Sequence, residues 1–554
     1  MVDFIIFKNN LKNIYYKLFN KELLKNFPDW KNILKNINFD NKKKLSNKKI
    51  LIATSTGGHR LALSSEILFG LSLKVRNADV DFLLCDQALD ACSECTYFDF
   101  KSSGDFIKYG ASLKCPSCWH TGNNSLKSAG IKTLKYLNYL TSDNLREINN
   151  IIKKTNLDEI KKFKIEGISI GEHANAGALR YHAKGYLDNT ENELAILKKY
   201  FISALKTFFI AKNLFKSKKF DTVVLNHGIY VPQGIISEVA RKNNVNVVTW
   251  FTAYKNKSFL FSHDETYHKS LLKEPSKEWE DIEFKINEEN KLNDYLSSRK
   301  IGSNDWVYFH NKDPNFNFEI KNYNSLKETK FVSLFTNVVW DAQLFFDQNI
   351  FDDMLDWLFK TIQYFIDQNK ILVVRAHPAE ISGTLPSKQK ISDEIKKKFG
   401  KLANNIVFIA PENPISSYSI IEKSEFCIVY GSTIGTEIAA MGKNVLVGGE
   451  AWIKNKEISF DPKTKSEYFD LMSKLILNPK MDEKTHKRAK MYAYHFFFKR
   501  MIPVNLIDVE KKKNQNFIIT NENIKKIFPV NNFDKGIDTI CDGILNQRSF
   551  IYEE

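Results

Sequence analysis

The feature that most constrains this chain is a rhythm: short apolar runs alternate with helical stretches, twice over and in tandem. The first series starts at Lys49–Thr54 and continues through Val80–Leu84, Thr222–Leu225 and Val245–Trp250, with a long periodic helix expected over Glu193–Phe215. The second starts at Lys330–Phe335 and continues through Ile371–Val374, Ile406–Ile409, Phe426–Val429 and Asn444–Val447. Continuous apolar runs of this length read as strands buried on both faces. Strands of that kind alternating with helices imply parallel sheets covered by helices. A chain of 554 residues exceeds one core. The expected fold is therefore α/β, with two Rossmann-like domains facing a cleft. The first spans 48–325 and the second 326–500, with a basic helical extension over 1–47, a small cysteine-rich insertion over 85–120 and a tail over 501–554. Lys511–Asn516 reads as a solvated linker.

Polar groups cluster just past several of these runs, where open α/β sheets bind ligands. After the run ending at Val374 come Arg375-Ala376-His377-Pro378-Ala379-Glu380. After Val429 come Tyr430-Gly431-Ser432-Thr433-Ile434-Gly435-Thr436-Glu437. Pro378 holds His377 extended, so its imidazole suits a phosphate; Arg375 adds charge, although strand alternation turns it the other way. Ser432 and Thr433 precede a helical stretch, whose free N–H groups attract anions. Glu437, one turn on, suits ribose hydroxyls. The first run ends in Thr56-Gly57-Gly58-His59, where paired glycines let backbone approach a ligand closely and His59 either orients a substrate or caps the next helix.

Candidate acid–base groups lie in Glu166-Gly167-Ile168-Ser169-Ile170-Gly171-Glu172-His173 and in Asn226-His227-Gly228. Glu172 or Glu166 would serve as general base toward an acceptor hydroxyl. The alternative for Glu172 and His173 is the capped first turn of a helix over Ala174–Ala183. His227 follows a strand and so faces the cleft. His263-Asp264-Glu265 and His268 read as a solvated loop.

Cys92-x2-Cys95 and Cys115-x2-Cys118, 19 residues apart, match a four-cysteine structural zinc site; reduced thiols in a small insertion are the alternative. No catalytic metal is expected. The net charge is +16, and residues 1–50 hold 12 Lys against four acids, a net +8. Phe4, Phe7, Leu11, Ile14 and Leu18 recur there at helical spacing, a pattern that fits either packing on the body or peripheral contact with an anionic membrane. No run reaches the ~20 apolar residues of a membrane span, and no signal-peptide layout is seen, so a cytoplasmic protein is expected. A zinc-containing nucleic-acid-binding protein is a rival class, but only Lys101, Lys108 and Lys114 are basic within 85–118, so no nucleic-acid partner is expected.

Taken together, these motifs resemble bacterial GT-B glycosyltransferases of surface polysaccharide assembly. His377-Pro378 and Ser432-Thr433 look like the CMP-binding motifs of bacterial sialyltransferases and Kdo transferases. Thr56-Gly57-Gly58-His59 is similar to the glycine loop of the lipid-linked GlcNAc transferase of peptidoglycan synthesis. The resemblance implies a nucleotide-sugar donor, with a CMP-sugar favoured, bound by Arg375, His377, Glu380, Ser432, Thr433 and Glu437. It implies a capsule or lipopolysaccharide glycan, or its lipid-linked precursor, as acceptor near Gly57, Gly58 and His59, with His173 and His227 beside it. Those families carry an acidic pair before glycine, whereas here Ile165-Glu166 precedes Gly167. A transferase of polyol phosphate from a CDP-alcohol, as in teichoic-acid synthesis, is the neighbouring alternative.

Overall fold

Lys49–Ser55 forms strand β1 in the computed structural model, with every residue after Lys49 buried. The structure describes residues 2–19, 28–34, 48–306, 330–341, 344–509, 517–518 and 534–554; the expected linker Lys511–Asn516 and residues 307–325 of the first series lie outside them. β2 (Asp79–Leu84), β3 (Thr133–Lys135), β4 (Thr222–Asn226) and β5 (Asn246–Thr252) join β1 in the order β3-β2-β1-β4-β5, all parallel. β6 (Ser258–His263) runs antiparallel on β5. The second sheet contains β7 (Val332–Phe335), β8 (Leu372–Arg375), β9 (Ile406–Ile409), β10 (Cys427–Val429) and β11 (Val445–Val447). Its order is β11-β10-β7-β8-β9, also all parallel.

Both sheets are wound the same way. Numbered within its own sheet, each runs 3-2-1-4-5, so the order reverses between β1 and β4 in one and between β7 and β10 in the other. A ligand crevice forms outside the carboxyl ends of strands at such a reversal. The helices that cover the sheets start from local signals. Glu191–Ser217, about 40 Å long at 1.5 Å per residue, opens on a Thr190/Glu193 capping box.

The expected cysteine-rich insertion is the crossover from β2 to β3. It ends in the helix Cys115–Ser128, which buries Trp119 and Leu126 with Leu63, Phe82 and Leu84. The tail returns to the first sheet: β12 (Ile502–Pro503) pairs with β6, and the helix Lys535–Asn546 buries Ile537, Ile540 and Ile544 in the core under that sheet. A further core joins the halves, packing Ala253, Leu260 and Leu271 with Ala440, Trp452, Phe496 and Phe497. Among the described residues no helix is long and apolar enough to cross a membrane.

Candidate active site

The two sheets turn their strand ends toward one cleft of about 2720 Å³. A pocket for one small ligand is typically ~300–1,000 Å³, so this cleft has room for two substrates.

The first wall begins with the loop after β1. A Cβ on Gly57 would stand 2.6 Å from the Cys118 carbonyl oxygen and 2.7 Å from Gly122 Cα, so only glycine lets this loop press on the helix Cys115–Ser128. Gly58 donates its N–H to Cys118 Sγ at 3.1 Å. His59 Nδ1 accepts the Ala62 N–H at 3.0 Å and caps the helix Arg60–Val75. A ring nitrogen that accepts carries no proton, so the His59 proton sits on Nε2. Gly58 and His59 line the cleft, and Gly57 lies behind them.

His227, at the end of β4, lies in the left-handed region at φ 58°, uncommon for a residue with a side chain. The turn puts its imidazole in the cleft, 4.8 Å from the Phe251 ring. Its Nδ1 is sealed from solvent and has no hydrogen-bond partner among the described residues. Burial, and then the neighbouring His59 imidazole and Arg180 guanidinium, pull its pKa down to about 3, so the ring is neutral.

Glu172 stands in the first turn of the helix Ile170–His182, as the capped-turn alternative places it. It lines the cleft, and its carboxylate accepts the Phe345 N–H. His173, expected beside it as a site residue, is turned into the core. It donates from Nδ1 to the Ile229 carbonyl and from Nε2 to Glu238 Oε1 at 2.8 Å. Burial acts to lower its pKa, but the Glu238 carboxylate outweighs burial and raises it, making a buried ion pair away from the cleft. Glu166 is also outside the cleft: it sits in an exposed turn, ion-paired to Lys212 and Lys242.

On the second wall, His377 donates its backbone N–H to Thr336 Oγ1 at 3.1 Å, and its Nδ1 accepts the Ala379 N–H at 3.0 Å. Its proton is therefore on Nε2. Ser432 and Thr433 follow β10. Thr433 Oγ1 hydrogen-bonds Tyr254 of the opposite wall at 2.8 Å, and Asn337 Oδ1 accepts the Gly431 N–H at 3.2 Å.

Three expected donor ligands are engaged elsewhere. Arg375 touches the cleft, but its guanidinium is hydrogen-bonded to the carbonyls of Ala410 and Asn413, the latter at 3.0 Å; burial pulls its pKa down to about 10. Glu380 is buried off the cleft and accepts the Ile391 N–H at 3.0 Å. Glu437 reaches the wall, yet its oxygens accept from Arg299 Nε and Nη2 at 2.9 and 3.0 Å and from the Tyr418 hydroxyl.

The structure adds a pair: His268, expected in a solvated loop, and Glu450, for which the motifs give no expectation. His268 lines the cleft, accepts the Trp452 indole N–H on Nδ1 at 3.0 Å and donates from Nε2 to Glu450 at 3.3 Å. The available signal was Gly448-Gly449-Glu450 just past β11, the same strand-then-paired-glycine pattern that drew attention to Gly57-Gly58.

Cys92, Cys95, Cys115 and Cys118 are free thiols. Cys92 and Cys95 hydrogen-bond each other, while Cys118 is turned to Gly58. Burial pushes the Cys115 and Cys118 thiols well above their ordinary range. Among the described residues no group of three or more His, Cys, Asp or Glu side chains is arranged as a bound metal ion would need.

No family model and no curated protein matches the chain. Solved structures do. The β-Kdo 2,4-transferase of Thermosulfurimonas dismutans KpsC is similar at 12% identity and a TM-score of 0.31, over 50% of this chain and 79% of that one. The β-Kdo 2,7-transferase of the same KpsC is similar at 14% and 0.31, over 57% and 88%. MurG of Acinetobacter baumannii is similar at 12% and 0.25, over 81% and 95%. By its own topology the chain has a GT-B-like fold: two Rossmann-like halves, wound identically, with both switch points opening on one cleft.

Proposed function

We propose that this chain is a glycosyltransferase that moves a sugar from a nucleotide-activated donor to a growing capsule or lipopolysaccharide glycan. One observation carries the reading: two switch-point crevices face each other across a cleft large enough for donor and acceptor together. His377, through the proton on Nε2, and the Ser432 and Thr433 hydroxyls supply hydrogen-bond donors to the leaving phosphate, where charge develops in the transition state. Glu172 takes the proton of the acceptor hydroxyl. A ring that protonates only near pH 3 is a poor proton acceptor at neutral pH, so His227 instead positions the acceptor as a neutral hydrogen-bonding group. Contacts across the cleft, Tyr254 to Thr433 and His268 to Glu450, hold the walls in register and keep water from the donor. The proposed donor is a CMP-sugar, on the resemblance of His377-Pro378 and Ser432-Thr433 to CMP-binding motifs.

The test is a thermal-shift panel of CMP, CDP, UMP, UDP and GDP on wild type and His377→Ala. Selective stabilisation by CMP, lost in the variant, supports the reading. Preference for CDP would move the polyol-phosphate transferase ahead, and stabilisation by none of them would sink the nucleotide site.

A further inference from the structure

The helix Val2–Phe19 is built with the wrong face outward for a helix that merely covers the protein. Its inner face mixes two aliphatic side chains with two amides. Val2 and Ile5 pack on the core, Asn9 donates to the carbonyls of Asp86 and Gln87 at 3.3 Å, and Asn13 accepts from Gln87 at 2.9 Å. Its outer face carries the larger apolar side chains. Phe4, Phe7, Leu11 and Ile14, spaced by three and four residues, are 70%, 61%, 53% and 58% exposed. A surface helix ordinarily puts charge on that face.

The stripe is about 15 Å long at 1.5 Å per residue. At about 200 Å² per large apolar side chain it offers roughly 500 Å². That falls short of the ~800 Å² per partner of a stable protein interface, which argues against a second copy of the chain as occupant. Charge points to the occupant. Lys8 and Lys12 flank the stripe on one side, Asp3 is the one acid of the helix, and residues 1–50 carry a net +8. Exposed apolar residues bordered by lysine are the composition that lies in the interface of an anionic bilayer. The helix packs on Cys115–Ser128, whose Cys118 and Gly122 support the glycine loop of the first wall, and exposed Tyr109 and Leu113 come just before that helix.

We propose that this helix docks the protein on an anionic phospholipid surface, with Phe4, Phe7, Leu11 and Ile14 at the acyl boundary and Lys8 and Lys12 against the headgroups. The docking surface is separate from the cleft and does not depend on the proposed activity.

The experiment is flotation of the full chain with vesicles of phosphatidylcholine alone and of phosphatidylcholine mixed with phosphatidylglycerol, at low and high salt. Wild type is expected to float with the anionic vesicles and to lose most of that binding at high salt. The variant Phe4→Gln/Phe7→Gln/Leu11→Gln, whose inner face is intact, is expected to float at least about tenfold less with an unchanged melting temperature. Lys8→Glu/Lys12→Glu is expected to lose the preference for anionic over neutral vesicles. The proposal is overturned if wild type does not float with anionic vesicles, if the folded triple variant floats as well as wild type, or if light scattering finds a dimer that the triple variant splits.

Discussion

Glu66, on the helix after the glycine loop, is buried with its carboxyl accepting the Trp250 indole N–H at 3.0 Å. Burial raises its pKa from 4.5 to about 7, against the lowering effect of hydrogen bonds from Thr54 and Trp250. A folded pKa above the unfolded one means the folded form holds its proton longer. Stability from this group is full below about pH 4.5 and is lost as pH rises through about 7. Glu66→Gln keeps an acceptor for Trp250 and removes the titration. Its advantage over wild type is expected to grow by on the order of 3 kcal/mol between about pH 4 and pH 8, read by urea unfolding; a pH-independent difference would mean Glu66 is ionised in the fold. His227 has the opposite sign: with its folded pKa near 3 it contributes stability above about pH 6.5 that falls away as the solution is acidified toward 3. His227→Ala is expected to raise the acceptor KM roughly tenfold, the worth of one hydrogen bond, while CMP stabilises it as it does wild type. A lost nucleotide response would move His227 into the donor site. Glu172→Gln, by contrast, is expected to lower kcat by ~10²–10⁴-fold with nucleotide binding retained.

At the scale of elements, the close seat of the glycine loop on the helix Cys115–Ser128 separates two adjacent glycines. At Gly57 an added Cβ meets backbone atoms at 2.6 and 2.7 Å, whereas at Gly58 it meets Cys118 at 3.4 Å, an ordinary contact. Gly57→Ala is expected to cost about 1–3 kcal/mol through overpacking and Gly58→Ala less than about 1 kcal/mol. Equal losses on chemical unfolding would show that the loop is not pressed on the helix. Several strands of both sheets were legible because their apolar runs are continuous: Lys49–Ser55, Thr222–Asn226 and Ile406–Ile409 fall within a residue or so of their sequence boundaries. β3 escaped because three residues, Thr-Leu-Lys, carry no period, and β6 because it is an antiparallel addition bounded by Ser258 and His263 rather than a member of the βα rhythm. The cysteine spacing suggests a four-thiolate set but carries no trace of the contact between Cys118 Sγ and the Gly58 N–H, which the crossover helix makes.

The whole molecule depends on links between segments far apart in the chain. Arg299 is largely covered, 11% exposed, where the walls meet, bonded to Glu437 and, at 2.7 Å, to Asp305. Arg299→Met strands two buried carboxylates and is expected to cost roughly 3–5 kcal/mol, while adding Glu437→Gln recovers part of it; a calorimetric scan in which the single variant melts like wild type would refute the link. By itself the sequence determined the α/β class, most strands and their parallel arrangement, and the presence of His377, Ser432 and Thr433 just past strand ends, because strand burial and helix covering write a local period into the chain. Only the tertiary structure decided which neighbouring side chains face the cleft. Glu172 and His173 are adjacent in sequence, but about 100° of helical rotation sends one to the site and the other into the core. Glu437 meets an arginine 138 residues away and Glu450 a histidine 182 residues away. Pairings of that span leave no local period; they exist only once the two sheets dock, and that docking decides which carboxylates are neutralised and which remain at the cleft.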